Sequence, residues 1–216
     1  MIKKDTQGVT FAKGFTAAGV KAGIKKSGNL DVAVIYTKTQ AVVAGTFTQN
    51  KVAAAPVYVS KEVVATGTAH AIVANAGCAN ACTGQQGLDD AHKMAQIAAD
   101  ELGVNADDVI VGSTGVIGVN LPMDKLEAGI KDAVANLSAD GSDNAGRAII
   151  TTDTHSKSVT CEFELSGKTV RMGAIAKGSG MIRPNMATML CYITTDIAID
   201  QALLQKAVSG CVEKSF

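Results

Sequence analysis

The chain has 216 residues, with twenty Lys and Arg against twenty Asp and Glu and no basic run longer than two, so it carries no electrostatic footprint for nucleic acid or an anionic membrane surface. Hydrophobic residues make up 47% but aromatic residues only 4%, with no Trp, so the core must be built from Ala, Val, Ile, Leu and Met, and the length suits one or at most two domains. Met1-Ile-Lys-Lys-Asp-Thr-Gln7 has two lysines and no apolar stretch behind them, no later segment reads as a membrane span, and five cysteines suit reduced thiols; the expectation is a soluble cytoplasmic protein.

Asp31–Tyr36 and Ala41–Thr48 read as two strands joined by a short polar turn, and His70–Asn75 as a third. Apolar residues at Leu88, Ala91, Ala95, Ala98 and Leu102 then recur at helical spacing until Gly103, and a second helix follows Pro122 with Met123, Leu126, Ile130 and Leu137 on one face. Between them Asp108–Val111 is a buried strand that opens into a glycine-rich loop. Val159, Cys161, Phe163 and Leu165 alternate with Ser158, Thr160, Glu162 and Glu164, which predicts a strand with one wet face. Ser166-Gly167 turns it into a hairpin with 169–176. Thr188–Thr195 is the next strand, and Asp200 caps a last helix carrying Leu203, Leu204, Ala207 and Cys211. Helices in separate runs and adjacent hairpin strands make a layered structure with largely antiparallel sheets.

Lys177-Gly-Ser-Gly-Met-Ile-Arg-Pro-Asn-Met-Ala-Thr-Met-Leu190 concentrates the chemistry. On pattern alone Thr188 is a strand residue after a proline loop. A threonine is also a nucleophile when a base sits beside it, and breaking the Ala187–Thr188 peptide bond would supply one, because the freed α-amine titrates near neutrality. The glycines after Lys177 do not make a phosphate cradle: proline and strand formers follow, and the lysine precedes them. On residue chemistry Lys177 is then a solvated turn lysine. Gly112-Ser-Thr-Gly-Val-Ile-Gly118 after a strand is either a linker or a turn that aims N–H groups at one point, and Thr151-Thr-Asp-Thr-His155 is a polar strand end. Cys78 and Cys82 lack two further ligands for a metal, and His70, His92 and His155 are scattered singly, so neither zinc nor a histidine triad is expected. Asn75 and Asn80 read as residues that tie down their loop.

KGSGMIRPNMATML resembles the processing site of the ornithine acetyltransferase family, also called glutamate N-acetyltransferase. The likeness continues through 14–28, Gly45–Lys51, Asn75–Gly84 and Ser113–Gly118, in the family's order. It implies an α+β fold, a four-layer α/β/β/α sandwich similar to amine-nucleophile hydrolases, as a single domain over 1–216 that is incomplete in this chain. It implies self-cleavage between Ala187 and Thr188 and acetyl transfer from N-acetylornithine to glutamate through an acyl-Thr188 intermediate, in arginine biosynthesis. Thr114 and Gly115 match the oxyanion-hole pair. Lys177, Thr188 and Thr151, with Thr152 as the alternative to Thr151, match substrate contacts. No metal or organic cofactor is implied, although some members also take acetyl-CoA as donor. The family's proteins are roughly double this length, so a carboxy-terminal half is expected as a second chain, in an oligomer of processed chains. Two other readings remain at this point: a non-catalytic fragment of that enzyme, and an aminopeptidase or amidase of similar fold.

Overall fold

The computed structural model describes residues 2–178 and 189–215, which form two four-stranded sheets and five helices. One sheet has the order β2 (Phe15–Val20), β3 (Val32–Val42), β4 (Thr68–Cys78), β5 (Val109–Val116), antiparallel except for the β4–β5 pair. The other has the order β1 (Ile2–Lys4), β6 (Lys157–Leu165), β7 (Lys168–Lys177), β8 (Leu190–Thr195), antiparallel throughout.

The first sheet is buried on both faces, which is why Val32–Ile35 reads as an unbroken apolar run. Val32 and Val34, with Ala71, Val73, Val109 and Val111, pack against α1 (Ala55–Thr66), α2 (Gly84–Leu102) and α3 (Met123–Ala135). Ala33, Ile35 and Ala74 face the second sheet, where Ile175 and the short α4 (Ser142–Ala148) meet them. The order helices, sheet, sheet makes an α+β fold. Gly19 permits the close approach of α4, since a Cβ there would strike the backbone of Asn144.

The structure departs from the sequence reading in four places. The strands expected over 31–36 and 41–48 are one strand, β3, whose register slips between Tyr36 and Ala41, and nothing beyond Val42 belongs to it. Helix α1 was not anticipated; Pro56 sits in its first turn and Gly67, at φ 89°, ends it. The last helix, α5 (Gln201–Ser215), begins where Asp200 caps the amide of Ala202 at 2.9 Å, but it has no buried residue, and Leu203 is 58% exposed.

The fourth departure concerns β6. Ile175 packs between the sheets and pairs with Ser158 on one side and Tyr192 on the other, so the alternate set faces outward: Val159, Cys161, Phe163, Met172, Ala174 and Ile193. The expected wet face is therefore the inner one near the start of β6, where Thr160 is buried. Much of the apolar face is open, with Val159, Phe163, Leu165 and Ile193 between 37% and 53% exposed, although Val170, opposite Phe163, is only 6% exposed. Among the described residues no helix covers it.

Candidate active site

β5 and β7 end close together between the sheets, and the side chains at their ends meet. Thr114 points inward as the third residue from the end of β5; Lys177 is the last residue of β7 and is only 1% exposed. The Lys177 ammonium donates to Thr114 Oγ1 at 3.0 Å and to Thr151 Oγ1 at 3.1 Å. Three residues far apart in sequence thus converge, and it is Thr151 that meets the lysine, while Thr152 is exposed. Lys177 is no solvated turn lysine.

Gly115 follows Thr114 at the surface with φ 138° and sits opposite Gly77, itself at φ 112°, in the parallel ladder. A Cβ on Gly115 would run into the Gly77 backbone, so glycine is required here for both conformation and space. The neighbouring loop is held as the sequence suggested. Asn75 donates to the carbonyl of Cys78 at 3.0 Å and accepts from the Ser113 hydroxyl at 2.6 Å. Asn80 donates to the carbonyl of Gly87 at 2.8 Å and accepts from Thr83 at 2.8 Å. Ser60 on α1 completes the support by donating to the Val111 carbonyl at 2.6 Å and accepting from the Val111 amide at 3.0 Å, on the edge of β5 that has no strand neighbour among the described residues.

Ala187 and Thr188 lie outside the described residues. Leu190, two positions on, pairs with Lys177 at the start of β8.

Two groups at this site were not singled out in the sequence. Asp153, in the polar stretch that carries Thr151, has a side chain only 1% exposed; its Oδ1 accepts from Lys157 at 2.6 Å and from the Gly178 amide at 3.0 Å. Burial pushes its carboxyl up, but the bonds from Lys157 and Gly178 and the charges of Lys157 and Lys177 outweigh this and hold it below the usual value. Lys25 donates to the carbonyls of Leu30 at 2.5 Å and Ala148 at 3.3 Å, tying the end of α4 in place, while the Asp31 carboxylate accepts from the amides of Ala22, Ile24 and Lys25 at 2.6, 2.6 and 2.9 Å. Burial lowers both ammonium groups. For Lys177 the Asp153 charge opposes this and Lys157 adds to it; for Lys25 Asp31 opposes and Lys177 adds. The only advance signal for Asp153 was its place between Thr151 and His155; Lys25 had none.

The two-sheet α+β frame recurs in the PH0078 protein from Pyrococcus horikoshii, at a TM-score of 0.58 and 15% identity, a likeness of fold alone. Sequence is more specific: residues 16–216 match the ArgJ family, and the chain belongs to it. It is 50% identical over 211 residues to the arginine biosynthesis bifunctional protein ArgJ of Symbiobacterium thermophilum, covering 97% of this chain and 52% of that protein. The corresponding protein of Synechocystis is 47% identical over 209 residues, covering 96% and 51%. The chain thus spans about half the length of the curated relatives it matches. Among solved structures, arginine biosynthesis bifunctional protein argJ from Bacillus halodurans superimposes with a TM-score of 0.79 at 42% identity, covering 87% of this chain and 98% of that one. An ornithine acetyltransferase from Mycobacterium tuberculosis, solved in complex with ornithine, has the same TM-score at 43% identity, covering 85% and 98%.

Proposed function

We propose that this chain is the amino-terminal part of a glutamate N-acetyltransferase that moves an acetyl group from N-acetylornithine to glutamate, with Thr188 as nucleophile after self-cleavage at Ala187–Thr188. The observation that carries the reading is the buried Lys177 ammonium held between the Thr114 and Thr151 hydroxyls.

An ammonium has three N–H donors and no acceptor, so both threonine oxygens must accept from it. One donor of Lys177 is left for a substrate carboxylate. The hydrogens of both threonine hydroxyls are left free to donate elsewhere, and an O–H whose oxygen already accepts from a cation is a better donor. Thr114 together with the backbone at Gly115 is thereby suited to an oxyanion hole, and Thr151 to a substrate contact. Leu190, two residues after Thr188 in the sequence, pairs with Lys177.

In the first step Thr188 Oγ attacks the Ala187 carbonyl, the peptide nitrogen leaves as the new α-amine, and water hydrolyses the resulting ester, leaving Ala187 as a carboxylate. That amine then takes the Thr188 hydroxyl proton as Oγ attacks the acetyl carbon of N-acetylornithine. Thr114 and Gly115 hold the tetrahedral oxyanion. The proton passes to the departing ornithine amine, and the glutamate amine later attacks the acyl-threonine, with Oγ recovering a proton. No metal or organic cofactor enters these steps, and acetyl-CoA is a second donor from which the free Thr188 hydroxyl can take the acetyl group, the CoA thiol leaving, to give the same acyl-threonine.

Two further observations support the reading. The Bacillus and Mycobacterium chains are each matched over 98% of their length by only part of this one, so both are shorter than 216 residues, whereas the curated relatives are nearly twice as long. Self-cleavage of the family's polypeptide, as proposed at Thr188, would account for the difference. The open apolar face of the second sheet is the surface that a carboxy-terminal half would cover. The test is intact mass of the chain produced together with that half: two pieces divided between Ala187 and Thr188, plus labelling of Thr188 by acetyl from N-acetylornithine, are expected. A single uncleaved polypeptide that nevertheless transfers acetyl would overturn the threonine mechanism.

A further inference from the structure

Thr151 and Asp153 bind two consecutive residues at the end of β7. Thr151 takes the Lys177 ammonium, and Asp153 takes the Gly178 amide at 3.0 Å. The segment 151–153 is thus a two-point clamp on the place where the chain leaves the sheet.

We infer that Asp153 is a positioning residue of this site, its carboxylate fixing the exit of β7 at Gly178, one residue beyond Lys177, and so holding the Lys177 ammonium in place between Thr114 and Thr151. The inference rests on the carboxylate-binding role proposed for Lys177.

A surface ion pair does not account for Asp153. Its partner Lys157 is 42% exposed, so the pair could form equally well with the carboxylate in solvent, yet the Asp153 side chain is 1% exposed. Its Oδ2 is buried with no hydrogen-bond partner among the described residues, an arrangement that destabilises a fold. What the buried position provides is nearness to Lys177. Three charged groups bear on that region: Asp153 opposes the loss of the Lys177 proton, Lys157 promotes it, and Lys25 at the end of α4 is itself pushed down by Lys177. Cys191 and Tyr192, on β8 opposite Ala176 and Ile175, carry no charge in the neutral range, since burial raises both. Asp153 is therefore the one anion acting on Lys177 among these groups. Oδ1 holds Gly178 and Lys157, and the charge of the carboxylate as a whole acts on Lys177.

Asp153→Asn separates charge from shape, because the amide oxygen can still accept from Gly178. Lys177 is followed in the 216-residue chain by NMR of lysine 13Cε, assigned with Lys177→Arg. Asp153→Asn is expected to move its titration to lower pH, while Lys157→Met, which removes a like charge, moves it to higher pH. In the enzyme completed with its carboxy-terminal half, Asp153→Asn should raise KM for N-acetylornithine and glutamate about tenfold, increasingly so toward alkaline pH, with Asp153→Glu restoring part of the loss. A Lys177 titration unmoved by Asp153→Asn in a chain of wild-type circular dichroism would overturn the inference and leave the transferase reading standing. Absence of acetyl transfer in the wild-type completed enzyme would overturn that reading, while the titration in the shorter chain still decides the role of Asp153.

Discussion

The Tyr192 hydroxyl on β8 lies where a Cβ of Gly112 on β5 would stand, so the two sheets approach as closely as they do only because residue 112 has no side chain. This contact sits two residues before Thr114 on β5, and the same tyrosine packs into the inter-sheet core with Ile175. Gly112 is thus a spacer that sets the depth of the site.

Gly112→Ala is expected to destabilise the fold by about 1–3 kcal/mol, because the added methyl overpacks the sheet interface. Tyr192→Phe should be neutral or stabilising by about 1 kcal/mol, since the tyrosine hydroxyl is buried without a partner among the described residues and its loss removes a group that gained nothing on folding. With the hydroxyl gone, the alanine methyl has room. Urea midpoints of the two single variants and the double variant should therefore show a coupling of about 1 kcal/mol or more. Additive effects would mean that the sheets are held apart by something other than this pair.

Much of the frame was legible because local pattern and tertiary burial agree in it. The α2 stripe at Ala91, Ala95 and Ala98 is buried and Gly103, at φ 69°, ends the helix, while the Ser166-Gly167 turn closes the β6–β7 hairpin as its sequence dictates. Helix α1 was not legible, because Val57, Val59, Val63, Val64 and Thr66 are β-branched and read as strand formers; packing against β5 and α2 overrides that preference. The inverted faces of β6 have the opposite origin. Alternation gives the period of a strand but not which side is covered, and here the apolar side faces away from every described layer. At the site, Thr114, Thr151 and Lys177 were found through family resemblance; their spacing in sequence carries no trace of a contact made by strand ends from two different sheets.

The proposed role of Thr188 is tested by Thr188→Ala in the completed enzyme, which should abolish both cleavage and acetyl transfer, whereas Thr188→Ser keeps some of each. Thr114→Ala should lower kcat by about 100-fold or more with a smaller rise in KM, as expected of a donor that acts on charge present only in the transition state. Mass spectrometry and steady-state rates read these outcomes. A Thr114→Ala loss confined to KM would assign Thr114 to ground-state binding, and normal turnover by Thr188→Ala would remove Thr188 from the chemistry.

The buried ammonium groups give stability a defined slope with pH. Burial holds Lys177 and Lys25 below the ordinary lysine value of 10.5 in the folded chain. Between the folded and unfolded values the unfolded chain binds more protons, so stability rises as pH climbs through the folded values toward 10.5. Lys177→Met should flatten this rise without removing the share due to Lys25. On the acid side Asp153, held below 3.8, contributes stability that is present above that value and is lost as pH falls through its folded one. Urea midpoints of wild type and Lys177→Met across both ranges check the signs, and a slope unchanged by Lys177→Met would mean that Lys177 is not the group responsible.

The outward face of the second sheet supplies the last prediction. Val159 and Ile193 flank Ala174 on that face and are 40% and 53% exposed, so a charge placed on either meets only water in the chain as described. Val159→Lys or Ile193→Lys should accordingly change the stability of the 216-residue chain by less than about 0.5–1 kcal/mol. If a carboxy-terminal half packs its apolar helices there, the same lysine is buried in the assembled enzyme without a partner, and assembly should weaken by about 3 kcal/mol or more, over a hundredfold in association constant. The decisive comparison is between the stability of each variant alone and its capacity to be completed into an active transferase by the separately produced half. A chain left intact but unable to assemble identifies the face as the covered one. Full assembly and activity in both lysine variants would show that the second half binds elsewhere and that this apolar face stays open in the working enzyme.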